Sequence, residues 1–180
     1  MKPLFTIHAG EYLVGALIEQ QFKRVNVWIP LRDTGIDLLL SDRRNTRSIS
    51  LQVKFSKDFL VTHMGPLFQK QLRACGWWTI NRQKLQASPA DYWVFVLHGF
   101  ASRSTDFVVI PRSELWRRLR AIHGGTKIMQ SYVWVTERKH CWETRGLNIP
   151  SLKMAIHAGF TTIVKCENGI LTLEYRKAGG

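Results

Sequence analysis

The clearest periodic pattern lies in residues 48–55, where polar and apolar side chains alternate at every position. Strict alternation is typical of a half-buried β-strand, because successive side chains point to opposite faces. Three short apolar runs with Gly or Pro close to their ends, 25–30, 36–41 and 91–98, also predict strands. From Leu13, apolar residues recur at i, i+3 and i+4, which predicts a helix over 8–24.

The second half of the chain continues this mixture. Strands are predicted over 106–110 and 128–136, and a terminal hairpin joins 160–166 to 170–175 around Asn168-Gly169. A helix is predicted over 113–122, with Ser113 as its N-cap and Gly124-Gly125 at its end, and a short helix over 150–158. Residues 56–75 are ambiguous, and 76–80 fit a strand or the start of a helix. This order predicts an α/β or α+β fold with a mixed sheet, and 180 residues suit one domain over 1–180.

Composition narrows the class of protein. With 45% apolar residues the chain is too hydrophobic to be disordered, and no apolar run approaches the roughly 18 residues of a membrane-spanning helix. The N-terminal residues lack a secretory apolar segment, which predicts a cytoplasmic protein. Three scattered cysteines, Cys75, Cys141 and Cys166, do not suggest a disulfide framework.

Charge points to a polyanionic partner. Lys and Arg number 26 against 13 Asp and Glu, a formal net charge of +13. The basic residues are spread along the chain, so a folded basic surface is expected rather than a basic tail. Nucleic acid is the commonest partner of such a surface, because lysine and arginine neutralise its phosphates.

Two predicted strands carry polar groups with a chemical meaning. If residues 36–41 and 48–55 pair, Asp37, Gln52 and Lys54 lie on one side of the sheet. Carboxylate, amide and main-chain oxygens suit Mg²⁺ or Mn²⁺. A lysine beside such an ion can orient water and stabilise developing negative charge. These are the components of metal-assisted phosphodiester hydrolysis.

At these residues the chain resembles the PD-(D/E)xK nuclease superfamily, whose fold is restriction-endonuclease-like. Gly35-Ile36-Asp37 resembles the first motif and Gln52-Val53-Lys54 the second, and Glu11 lies on the upstream helix that often carries an additional acid. The Q-x-K form is similar to Mrr-type restriction endonucleases, and the motif order is similar to archaeal Holliday-junction resolvases, which keep the acid. The resemblance covers roughly residues 8–55. It implies an α/β restriction-endonuclease-like core, with a mixed central sheet flanked by helices.

The resemblance also implies a function and a site. The expected activity is that of a divalent-metal-dependent DNA endonuclease, with a homodimer where both strands are cut. Asp37, Glu11, Gln52 and the Val53 carbonyl are the expected ligands of Mg²⁺ or Mn²⁺, and Lys54 positions the attacking water. Because Gln52 replaces an acid, an inactive nucleic-acid-binding module on the same scaffold is the alternative. A protein-interaction subunit with incidental basicity is a third interpretation.

Simpler interpretations of the same residues exist. Asp37 can be a strand-edge carboxylate that pairs with Arg43 or Arg44, and Glu11 can be an acid favoured by the helix dipole. Gln52 and Lys54 can be the solvated face of a half-buried strand. The basic residues expected to contact DNA are Arg43, Arg44, Arg47, Lys57, Lys70 and Arg73.

Overall fold

The computed structural model describes residues 8–32, 34–57, 72–99, 104–136, 141–143, 160–167 and 170–177. For residues 57, 72, 99, 136 and everything after 140, this description covers the backbone only. Along the chain the elements are α1 Ala9–Gln21, β1 Val25–Trp28, β2 Leu38–Asp42, β3 Ser48–Lys57, β4 Leu72–Asn81, α2 Arg82–Gln86, β5 Tyr92–Gly99, β6 Ser104–Pro111, α3 Arg112–His123, β7 Ile128–Thr136, β8 Cys141–Glu143, β9 Phe160–Glu167 and β10 Ile170–Lys177.

The described strands form a mixed central sheet and two smaller sheets. The central sheet has the order β1-β2-β3-β5-β6, in which β3 and β5 are parallel and the other neighbours are antiparallel. A second sheet has the order β4-β7-β8, and β9 pairs with β10 as an antiparallel hairpin. Since β3 and β5 are parallel, the chain between them must cross over, and this crossover carries β4 and α2.

Alternation along β5 assigns each face of the central sheet to a different core, with Val94 and Val96 in the first. On one face, Leu51 and Val53 pack with Val14 and Ile18 of α1. On the other face, Trp93, Phe95 and Leu97 of β5 pack against residues of the second sheet and of α3; these include Ala74, Trp78, Ile80, Leu115, Leu119, Met129 and Val133. The chain is therefore α/β, with a mixed central sheet flanked by helices, as expected.

Most predicted elements are present, and residues 76–80 belong to a strand, β4. One detail is wrong: Ser113 is not the N-cap of α3. Pro111 occupies that position with φ −58° and ψ 139°, and the helix begins at Arg112. Proline holds φ near −65° without a capping side chain, so β6 turns directly into the helix. The predicted helix over 150–158 lies outside the described residues.

Two short elements were not predicted, β8 and α2. The sequence does contain an N-cap residue for α2. Asn81, a residue type favoured at this position, caps the helix by accepting a hydrogen bond from the Lys84 N–H at 3.0 Å. Among the described residues, no helix has the length and apolar character needed to cross a membrane.

Candidate functional site

Strand register places Asp37 opposite Gln52. Leu38 of β2 lies opposite Leu51 of β3, so Asp37, directly before β2, is level with Gln52. Cross-strand neighbours of this kind have Cβ atoms about 5 Å apart and share a face of the sheet. The Asp37 N–H also donates to the Leu51 carbonyl at 2.8 Å, which continues the contact beyond the end of β2.

The Asp37 carboxylate is bound by its neighbours on β3. Its Oδ2 accepts hydrogen bonds from the Gln52 side-chain amide and from the Val53 N–H, the latter at 2.8 Å. Asp37 is 5% exposed and Gln52 is 9% exposed. Gln52 is therefore not part of a solvated face. Asp37 is not a surface partner of Arg43 or Arg44 either, since those arginines lie beyond the far end of β2.

Lys54 lies two residues beyond Gln52 and therefore on the same face of β3. Its Nζ is 5.5 Å from the ring centroid of Trp93, the β5 residue directly beside Gln52. An ammonium at this distance from an indole is attracted by the ring's quadrupole. The buried Trp93 ring is itself oriented by an Nε1–H hydrogen bond to Ser88 Oγ at 3.3 Å. This contact positions the lysine beside the Asp37–Gln52 pair.

Glu11 approaches the same place from the other face of β3, on the first turn of α1. It is 4% exposed, and its Oε2 accepts a hydrogen bond from the His8 N–H at 3.4 Å. The helix reaches the strand because residue 10 is glycine. A Cβ there would lie 2.9 Å from Phe55 Cβ and 3.2 Å from Val53 Cγ1, both closer than ordinary carbon contacts.

A second glycine, Gly35, shapes the turn before Asp37. Its φ of +84° lies in the left-handed region, which glycine enters without steric cost. A Cβ at this position would also lie 3.3 Å from Pro89 Cδ. The glycine of the first motif therefore serves the backbone conformation that delivers Asp37 to the end of β2.

These residues line one cavity of about 1020 Å³. Glu11, Asp37, Gln52, Val53 and Lys54 border it from α1, the Asp37 turn and β3. A further set of lining residues comes from β4, α2 and the segment that follows: Thr79, Ile80, Asn81, Lys84, Ala87, Ser88 and Pro89. All four predicted catalytic side chains are thus brought together, whereas Lys84 was not predicted to belong to the site. No local pattern could have placed Lys84 there, because the second sheet approaches the cavity only in the folded chain.

The donor set fits a hard divalent cation. Two buried carboxylates and an amide supply oxygen atoms of the kind that Mg²⁺ and Mn²⁺ prefer, and Val53 lines the same cavity. Among the described residues there is no cluster of three or more His, Cys, Asp or Glu arranged for a metal. The site has two acids because the third position is Gln52, whose amide N–H donates to Asp37. An ion held here relies on neutral oxygens for the rest of its protein ligands.

The arginines and lysines expected to contact DNA do not gather at this cavity. Arg43, Arg44 and Arg47 are exposed in the β2–β3 turn, at the opposite end of the hairpin from Asp37. Six residues of extended chain separate Asp37 from Arg43, which is about 20 Å. Arg73 forms an ion pair with Asp106, with Nε–Oδ2 at 2.9 Å. The side chain of Lys57 and the whole of Lys70 lie outside the described residues.

Comparison of the chain with protein-family models, with curated proteins and with solved structures finds no match in any of the three. Function is therefore inferred from the site itself, where Glu11, Asp37, Gln52 and Lys54 line one cavity. They come from three segments of the chain: α1, the turn before β2, and β3.

Proposed function

We propose that this protein is a divalent-metal-dependent DNA endonuclease with a restriction-endonuclease-like core of the PD-(D/E)xK type. The observation that carries the proposal is the shared cavity of Glu11, Asp37, Gln52 and Lys54. Two buried acids and a lysine at a sheet end suit hydrolysis of a phosphodiester, in which negative charge builds up on the phosphoryl oxygens. The net charge of +13 supports a polyanionic substrate.

The residues take distinct parts in this proposal. Asp37, Glu11, the Gln52 amide oxygen and the Val53 carbonyl hold Mg²⁺ or Mn²⁺, which supplies Lewis-acid chemistry when bound. Because the Gln52 amide donates to Asp37 through Nε2, its oxygen would be the atom that ligates the ion. Lys54 donates hydrogen bonds to the attacking water and to a phosphoryl oxygen, and its positive charge stabilises the transition state. Trp93 keeps the Lys54 ammonium at the cavity wall.

The preference for DNA over RNA and the homodimer are carried by the family resemblance. A single site cuts one strand at a time, so an enzyme that cuts both strands of a symmetric site uses two copies of the chain. The proposed partners are therefore DNA and a second copy of this chain.

A specific contact favours one alternative. The Gln52 amide donates to Asp37, so two neighbouring positions that could both be anionic carry one charge between them. A site with less negative charge attracts a cation less strongly. The alternative function is an inactive nucleic-acid-binding module on the same scaffold, which binds DNA in a salt-dependent manner without cutting it.

Cleavage of labelled duplex, single-stranded, flap and four-way-junction DNA in EDTA, Mg²⁺ or Mn²⁺ tests the proposal. We expect cutting that requires the metal, and a loss of about 100-fold or more in both Asp37→Ala and Lys54→Ala. Lys23→Ala is the matched control, since Lys23 is exposed just after the C-terminal end of α1, away from the cavity. Binding without cutting under every metal supports the inactive module. Cutting that survives both site substitutions refutes the assignment of this cavity.

A further inference from the structure

The side of the cavity formed by the second sheet carries a lysine on a firmly held backbone. Lys84 lies on α2, whose first turn is capped by Asn81 through the Lys84 N–H at 3.0 Å. The next residue, Leu85, is fully buried in the core beneath the helix. The Arg82 N–H donates to the Lys127 carbonyl at 2.9 Å, which joins the start of α2 to the chain leading into β7. Lys84 is exposed and borders the cavity.

The side chain of Arg82, on the same helix, is held by contacts with other residues. The Arg82 guanidinium stacks over the Trp116 ring, 5.2 Å from its centroid, and donates to the Gly124 carbonyl. By contrast, no residue within the described ranges forms an ion pair with the Lys84 ammonium. Of these two cations on α2, Lys84 is therefore the one placed to bind a ligand in the cavity.

The charge balance of the cavity indicates which ligand. Among its described lining residues, the carboxylates Glu11 and Asp37 are balanced by the ammonium groups of Lys54 and Lys84. A divalent cation bound by the carboxylates makes the cavity positive, with Lys84 contributed by α2 and Lys54 by β3. A positive cavity with cations contributed by two different elements suits a ligand that carries more than one phosphate.

We propose that Lys84 binds a backbone phosphate adjacent to the scissile one, so that the nucleic-acid strand enters the cleft between the central sheet and the second sheet. The exposed Thr79, on β4 beside this lysine, borders the same part of the cleft. This inference rests on the proposed nuclease function. It makes β4 and α2 part of the substrate site rather than a supporting layer.

Binding of a fluorescently labelled DNA duplex and a labelled single strand, followed by anisotropy from 50 to 200 mM NaCl at a low, constant concentration of Ca²⁺, tests the inference. Ca²⁺ takes oxygen ligands and supplies the bound cation on which the positive charge of the cavity depends. Each phosphate contact contributes about 0.9 to the slope of log K against log salt for a duplex and about 0.7 for a single strand. Loss of one contact should therefore reduce the weakening of binding over this salt range by about 3.5-fold for a duplex and about 2.6-fold for a single strand. Lys84→Ala and Lys84→Gln should both show this change, whereas Lys84→Arg and the control Lys23→Ala should keep the wild-type slope.

The outcomes separate this inference from the proposed function. If Lys84→Ala and Lys84→Gln keep the wild-type slope while Asp37→Ala abolishes cleavage, the nuclease stands and the role of Lys84 is wrong. If the slope changes in both variants and Lys84→Ala raises KM with little effect on kcat, the phosphate contact is supported. If the wild-type protein binds DNA with the expected Lys84 effect but never cuts, the nuclease fails; Lys84 is then a phosphate contact of a binding module, and its place beside a scissile phosphate is overturned. Absence of salt-dependent binding in the wild-type protein overturns both.

Discussion

Adding one methyl group at Gly10 tests how α1 places Glu11. In Gly10→Ala the new Cβ meets Phe55 Cβ at 2.9 Å and Val53 Cγ1 at 3.2 Å. Carbon atoms pack best at about 3.5–4.0 Å, so the contact is relieved by a separation of at least about 0.6 Å. Both opposing residues belong to β3, and the hydrogen bonds between β3 and β5 hold this part of the strand in place. We therefore expect the first turn of α1, with Glu11, to move away from the strand.

Opposing terms set the size of the effect. Overpacking of a well-filled contact costs about 1–3 kcal/mol, and exchanging glycine for alanine in a helix returns about 1 kcal/mol. The net loss is up to about 2 kcal/mol, a fall in Tm of up to about 8 °C for a chain of this size. A displacement of catalytic groups by about 1 Å can cost roughly 100-fold in rate. We expect the cleavage rate at saturating DNA and Mg²⁺ to fall by about 10- to 100-fold.

Gly15→Ala in the same helix is the matched control. A Cβ at Gly15 has Val27 Cγ1 at 3.7 Å as its nearest neighbour, which is ordinary van der Waals contact. This substitution should raise Tm by about 2–4 °C through helix propensity alone and leave the cleavage rate unchanged. Thermal melting followed by circular dichroism and single-turnover cleavage measure the two effects separately.

Two results would refute this reasoning. If Gly10→Ala melts above the wild-type protein, as Gly15→Ala is expected to do, the close approach of α1 to β3 does not constrain the helix. If it loses stability but cuts at the wild-type rate, the position of Glu11 is not needed for the chemistry, and the acid serves the helix terminus only.

Two further predictions concern charge. In Gln52→Glu a carboxylate replaces the amide that donates to Asp37, so Tm in EDTA should fall by about 2–12 °C. Adding Mg²⁺ should raise Tm of this variant more than it raises Tm of the wild-type protein. An equal response to Mg²⁺ in both proteins contradicts a metal site here. Hydrogen bonding from Arg117, aided by Arg118, lowers the pKa of Glu114 from its usual 4.5 to about 2. A lowered pKa in the folded state stabilises the protein above the unfolded value, and that stability is lost as pH falls through the folded value. The difference in Tm between the wild-type protein and Glu114→Gln should therefore shrink from pH 4.5 to pH 2; a constant difference refutes the ion pair.

Local rules were sufficient for much of the central sheet. Alternation in 48–55 predicted that Gln52 and Lys54 share a face and that Leu51 and Val53 face the opposite way, and both statements are confirmed. Such patterns succeed because side-chain direction in a strand depends on the backbone of that strand alone. The end of α3 at Gly124 was predicted correctly, whereas its start was not, because Pro111 and not a capping side chain begins the helix.

The candidate site was predicted in part for the same reason. Asp37, Gln52 and Lys54 lie on adjacent strands joined by a short turn, so their meeting depends on one local pairing. Glu11 reaches them through a close helix–strand contact at Gly10, a glycine whose purpose is visible only when Phe55 and Val53 are in place. Whether the basic residues expected to contact DNA lie near the site depends on distances across the fold, which a local pattern does not give. Arg43 and Arg44 lie about 20 Å along the strand from Asp37.

The sequence by itself determined most of the strands and the two longer helices, α1 and α3. It also determined which face of β3 is polar and that the chain carries a large positive charge. Each of these follows from local backbone geometry or from composition. Only the tertiary structure decided that Asp37 is buried and bonded to the Gln52 amide, that the Trp93 ring lies beside the Lys54 ammonium, and that Lys84 borders the same cavity from α2. The cavity is lined by residues up to 85 positions apart, from His8 to Trp93, and no periodicity along a chain records which distant segments will pack together.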